Sequence, residues 1–148
     1  MLIIYKIYDI RSDLILDTDG VIQLFSVFVL VLLSAFFSSA ETSLTTANRV
    51  RLKTLADEGN RRAQTALDVL DKYGKMLSAI LIGNNIVNLY ASSLVTTLAL
   101  KINLAVGIAT GILTVVILLF GEIIPKNVAM IYSEKMALFY ASIIAGLM

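Results

Sequence analysis

Glu122 stands just before the chain's only proline, in Phe120-Gly121-Glu122-Ile123-Ile124-Pro125-Lys126, where a long uncharged apolar run ends. Pro125 has no N–H, so an α-helical bond back to the Gly121 carbonyl cannot form, and an oxygen is freed beside the acid. A free carbonyl next to a carboxylate at membrane depth suits a cation, because ionisable groups in hydrocarbon are costly and usually line a pathway. Two other polar blocks lie in apolar surroundings. Ser34 and Ser38 are four residues apart and share a helix face. Taken alone, they are explained by close packing or by bonds to i−4 carbonyls. Asn84, Asn85 and Asn88 follow Gly83, which permits local unwinding. Asn84 and Asn88 share one face and Asn85 points to a neighbouring one; as amides in hydrocarbon they are either ligands or interhelical hydrogen-bond partners.

Composition narrows the chemistry. The 148 residues contain no cysteine and no histidine, so thiolate and imidazole ligands, thiol nucleophiles and the commonest general base are all absent. Any metal must be held by oxygen, which favours Mg²⁺, Ca²⁺ or Na⁺ over Zn²⁺ or Cu²⁺. No base–nucleophile pair is evident, so the chain does not read as an enzyme. A net charge of +1, with acids interleaved among the bases, gives no basis for binding nucleic acid.

The elements that position these groups follow from hydropathy. The chain is 58% apolar and 16% charged, with mean hydropathy +0.86, beyond the usual range for a soluble domain. Val21 to Ala40, Met76 to Leu100 and Ile102 to Gly121 are three spans of about the length that crosses roughly 30 Å of hydrocarbon. Residues 1–20 read as an extracytoplasmic leader without signal-peptide features. Asn48 to Lys75 reads as a juxtamembrane helical hairpin. Leu52, Leu55 and Ala56 line its first helix, and Ala63, Ala66, Leu67, Leu70 and Tyr73 its second, with Gly59-Asn60 as the stop between them. Seven Lys/Arg in that loop place it and the C-terminus in the cytoplasm and the N-terminus outside. The apolar stretch Met136 to Met148 is too short for a full span and reads as the start of a belt-like interfacial helix. Gly107 and Gly111 form a GxxxG, which with Ala91, Ser92 and Ser93 suggests a dimer face. Glu41 reads as a helix-end acid paired with a nearby base, with a pathway role open.

Together, Ser34-Ala35-Phe36-Phe37-Ser38-Ser39-Ala40-Glu41-Thr42, Ile82-Gly83-Asn84-Asn85-Ile86-Val87-Asn88 and Phe120-Gly121-Glu122-Ile123-Ile124-Pro125-Lys126 resemble, in order and spacing, three hallmark blocks of one domain. It is the transmembrane domain of CorC-type proteins and the cyclin-M (CNNM) magnesium transporters, and the likeness covers residues 21–148. The resemblance implies an all-α membrane protein: three transmembrane helices, the cytoplasmic hairpin and a C-terminal belt-like helix. It implies a homodimer in the plasma membrane that exports Mg²⁺ or exchanges it for Na⁺ through a dehydrated site. By motif position, Ser34, Ser38, Asn84, Asn85, Gly121 and Glu122 match the ligand blocks. Paired CBS domains, which bind ATP, are expected after residue 148. The alternative is a Mg²⁺-sensing membrane anchor that does not transport.

Overall fold

The computed structural model describes residues 18–101 and 104–148, and every element among them is helical. The leader expected over 1–20 lies, up to residue 17, outside the described residues, as do residues 102–103 of the expected turn. Helix α1 (Thr18–Thr46) is the central element, packed against most of the others. Two short helices follow, α2 (Arg49–Asp57) and α3 (Arg61–Asp71), then the long α4 (Tyr73–Lys101). The third long element begins as α5 (Val106–Val116), widens into a π-helical segment (Ile117–Ile123) and resumes as α6 (Ile124–Ile131). Helix α7 (Ser133–Leu147) ends the described fold.

Three of these elements are long and apolar enough to cross a bilayer: Asp19–Thr46, Tyr73–Lys101 and Val106–Ile131. At 1.5 Å per residue each is about 40 Å long, so its ends project beyond the hydrocarbon. Only 17% of the apolar window of each is buried within the protomer. Side chains such as Phe25, Leu89 and Ile112 are therefore exposed, and lipid or another protein surface must cover them.

The hairpin follows from cap chemistry. Asn48 Oδ1 accepts from the N–H groups of Val50 and Arg51, and Asn60 Oδ1 from those of Arg62 and Ala63. Between the helices Gly59 takes φ +93°, which a Cβ would penalise. The Gly59 N–H donates to Ala56 O and the Asn60 N–H to Leu55 O, a Schellman closure of α2. Leu52, Ala63, Ala66 and Leu70 are buried, and Leu55, Ala56 and Leu67 partly so. Tyr73 departs from the expected stripe: the break at Lys72 ends α3, and Tyr73 begins α4 and is exposed. All seven hairpin bases are exposed.

The continuous core lies at the hairpin end. Ala40, Leu44, Leu52, Val69, Leu70, Met76 and Ile80 meet Ala137, Tyr140, Ala141 and Ile144 of α7. Helix α7 thus lays a buried stripe against α1 and α3, while Phe139, Ile143 and Leu147 face outward. An amphipathic helix of this kind clamps the hairpin to α1 at the base of the spans.

The third span departs from expectation at its end. It continues past Gly121 and past Pro125 to Ile131. In the wide turn the Ile124 N–H bonds to Leu119 O, five residues back, so that Pro125 falls in the first turn of α6, where a missing N–H is tolerated. The freed oxygen therefore cannot be assigned to Gly121 on α-helical register alone. The carbonyls of Phe120 and Gly121 both stand at the change of register, where Pro125 supplies no donor.

Candidate cation site

Serine and threonine hydroxyls in helices usually satisfy themselves on a carbonyl one turn back. Ser26, Ser39, Thr96, Thr97, Thr110 and Thr114 do so here, each to the carbonyl four residues earlier. Ser34 and Ser38 do not. Ser34 is fully buried, and its Oγ donates across to Asn84 Oδ1 on α4 at 3.1 Å. Ser38 is 1% exposed and its Oγ has no hydrogen-bond partner. A buried hydroxyl without a partner carries a desolvation cost of about 1–3 kcal/mol, which a ligand can relieve.

Glycine lets the third element close in on the same serine. A Cβ at Gly121 would lie 3.0 Å from Ser34 Oγ and 3.2 Å from Ser34 Cβ, so the wide-turn backbone reaches Ser34 only because no side chain intervenes. Gly83 serves α4 similarly: a Cβ there would run into the Phe37 ring, which α1 places against the turn that holds Asn84. Phe37 is backed edge-on by Phe36 at 5.4 Å, and Phe36 by Tyr140 of α7 at 5.0 Å. The hairpin-end core thereby steadies both helices that carry the polar groups.

Ser34, Asn84 and Gly121 thus meet at one point, and Ser38 lies one turn away along α1. Glu122, next to Gly121, is half-buried and makes neither a hydrogen bond nor an ion pair among the described residues. Asn85 is not brought to this point: it is exposed and without a side-chain hydrogen bond. Asn88, one turn beyond Asn84 on the same face, is the residue that motif matching passed over; its Oδ1 is buried and unpartnered. Gln23, far along α1, also has a buried unpartnered Oε1, and nothing in its apolar sequence context singled it out. Glu41 has the basic partner expected of it, Lys126 Nζ at 3.2 Å. The proposed dimer face is open at Gly107 and Gly111, where a Cβ would meet nothing within 4 Å, but Ala91 is 1% exposed and packs inside the protomer.

The donor set is chemically narrow: two hydroxyls, amide oxygens, a carbonyl at the register change and one carboxylate. Among the described residues no group of three acidic, histidine or cysteine side chains is placed to hold a metal. Mostly neutral oxygens with one negative charge fit a hard cation held weakly enough to be released.

Comparison with known proteins identifies the family. Residues 25–148 match the cyclin M transmembrane N-terminal domain. A UPF0053 protein of Haemophilus influenzae is 40% identical over 136 residues, covering 90% of this chain and 32% of that protein. The UPF0053 inner membrane protein YfjD of Escherichia coli is 42% identical over 107 residues, covering 71% of this chain and 25% of its own length. A polyamine export protein of Salmonella typhimurium is 40% identical over 65 residues, 44% of this chain and 14% of that protein. The chain therefore spans about a third or less of these relatives. With three apolar helices of membrane length, it is a multi-pass membrane protein, and it belongs to the cyclin M transmembrane N-terminal domain family.

Proposed function

We propose that this domain transports Mg²⁺ across the membrane through a site between α1, α4 and the wide turn, with Ser34, Ser38, Asn84, Asn88, Glu122 and a carbonyl near Gly121 as oxygen donors. The observation that carries this reading is the 3.1 Å separation of Ser34 Oγ, which is fully buried, and Asn84 Oδ1, which is half-buried. Octahedral Mg²⁺ with oxygens at about 2.1 Å sets neighbouring donors about 3.0 Å apart, whereas Ca²⁺ at about 2.4 Å would spread them to about 3.4 Å. The hydrogen bond that holds the two oxygens in the closed arrangement thus has nearly the length of one edge of the Mg²⁺ shell. Unpartnered oxygens at Ser38 and Asn88 supply further corners without breaking existing bonds. Na⁺, also a hard cation, is a candidate coupled ion for the same neutral donors.

The hairpin and its bases face the cytoplasm in this reading, since exposed Lys/Arg are retained there. The protein works as a homodimer, with Gly107 and Gly111 supplying an open close-packing surface. Mg²⁺ flux into proteoliposomes tests the reading: wild type should carry it, and Glu122→Ala should abolish it. Equal flux in the two proteins would overturn it.

An organic polycation is the second candidate cargo, because relatives covering part of this chain are polyamine export proteins. A methylene chain would have to part Ser34 from Asn84, which are in direct contact, whereas a bare ion can use both oxygens at close to their present separation. Competition of Mg²⁺ flux by spermidine at equal concentration would favour that second cargo.

A further inference from the structure

Glu41 lies three residues beyond Ser38 and seven beyond Ser34, on the same side of α1 and one turn nearer the hairpin. Its partner Lys126 follows Glu122 by four residues, one turn nearer the hairpin on the third element. The 3.2 Å contact between Glu41 Oε2 and Lys126 Nζ therefore bridges the two elements that carry the serines and the acid, across the hairpin-side edge of the site. The Glu41 and Lys126 side chains are 30% and 41% exposed, whereas the serines on the same side of α1, Ser38 and Ser34, are 1% and 0% exposed; Asn84 and Glu122 are half-buried. The Arg51–Glu134 ion pair at 2.9 Å joins α2 to α7 and leaves this edge alone.

We propose that the Glu41–Lys126 ion pair is the hairpin-side gate of the cation site, and that Glu41, once released, is the carboxylate that receives the incoming divalent cation. The proposal rests on the cation-site reading above. In the closed pair the Lys126 ammonium neutralises Glu41, so the carboxylate offers no net charge to an ion arriving from the hairpin side. Charge balance offers an exchange: the cation replaces the ammonium as counter-charge to Glu41, and Lys126 withdraws to water on its flexible four-carbon stem. Partial exposure makes the pair weak and salt-screened, so that it opens readily. Glu41 then adds a second negative charge to that of Glu122.

Because the chain has no cysteine, one introduced thiol reports access cleanly. Ser38→Cys, alone and combined with Lys126→Met, is reconstituted in vesicles and treated from the hairpin side with a membrane-impermeant thiol reagent. Loss of the lysine should raise the labelling rate by up to about five-fold, the change expected when a weak ion pair no longer holds the closed state. Equal rates would overturn the gate. If Lys126→Met does not fold, the charge swap Glu41→Lys with Lys126→Glu serves in its place: it should keep Ser38→Cys labelling slow, while Glu41→Lys alone should speed it. Separately, Glu41→Gln should raise the Mg²⁺ concentration for half-maximal thermal stabilisation about ten-fold while keeping the full shift at saturation. An unchanged half-saturation would overturn the receiving role. Absence of both stabilisation and flux in wild type would instead refute the cation-site reading, and the labelling contrast would still decide the gate.

Discussion

Replacing Gly121 by alanine tests whether the wide turn, and not merely Glu122, builds the site. The new Cβ would stand 3.0 Å from Ser34 Oγ and 3.2 Å from Ser34 Cβ, so Ser34 must give way by a few tenths of an ångström. It is poorly able to do so, being fully buried and tied to Asn84 at 3.1 Å. Overpacking of this size costs about 1–3 kcal/mol, and stretching the Ser34–Asn84 bond about another 1 kcal/mol. Alanine's better helix propensity returns up to about 1 kcal/mol. The net expectation is a loss of about 1–3 kcal/mol in stability and, because Ser34 is a donor, about a ten-fold loss of Mg²⁺ affinity. Thermal unfolding in detergent, with and without Mg²⁺, reads both. A double-mutant cycle sharpens the cause: in a Ser34→Gly background, where no side chain opposes the new methyl, Gly121→Ala should cost far less. Costs that add within about 0.5 kcal/mol would refute the argument that Ser34 and Gly121 form one contact.

Three further outcomes follow from the same geometry. Asn88→Leu removes a buried unpartnered amide oxygen, so the protein without Mg²⁺ should be as stable as wild type or up to about 1 kcal/mol more stable, while Mg²⁺-dependent stabilisation is lost. Melting curves with and without Mg²⁺ check both halves, and an unaltered Mg²⁺ shift would remove Asn88 from the donor set. Asn60→Ala deletes the cap of α3 and should cost about 1 kcal/mol of stability without altering Mg²⁺ half-saturation in the same melts, since the hairpin lies outside the site. Asn85→Ala should leave Mg²⁺ flux within about two-fold of wild type, because the side chain is exposed and packing rather than motif membership decides the donors.

The parts legible from the sequence are those governed by local physics. Three uncharged runs of membrane length specify three spans, and Asn48, Gly59 and Asn60 specify the hairpin through caps and a positive-φ turn. What escaped was set by packing between distant segments. A proline announces one missing N–H but does not encode the five-residue register that precedes it, so the span was expected to end at Gly121 and instead runs to Ile131. Helical spacing separates Asn85 from Asn84 and Asn88, yet which face turns inward depends on α1, whose Ser34 engages Asn84. Ala91, which small size alone had suggested for a dimer face, is buried within the protomer. Lys126 is the partner of Glu41 across 85 positions of sequence, a pairing that only the fold creates.

Whether the three polar blocks form one small-cation site is read most directly from the anomalous signal of Mn²⁺, a hard divalent stand-in for Mg²⁺, in crystals of this domain. A peak is expected between α1, α4 and the wide turn, within about 2.3 Å of Ser34 Oγ and Asn84 Oδ1 and bound by the Glu122 carboxylate. A peak confined to exposed carboxylates of the hairpin, with Ser34 still bonded to Asn84 at saturating Mn²⁺, would contradict it.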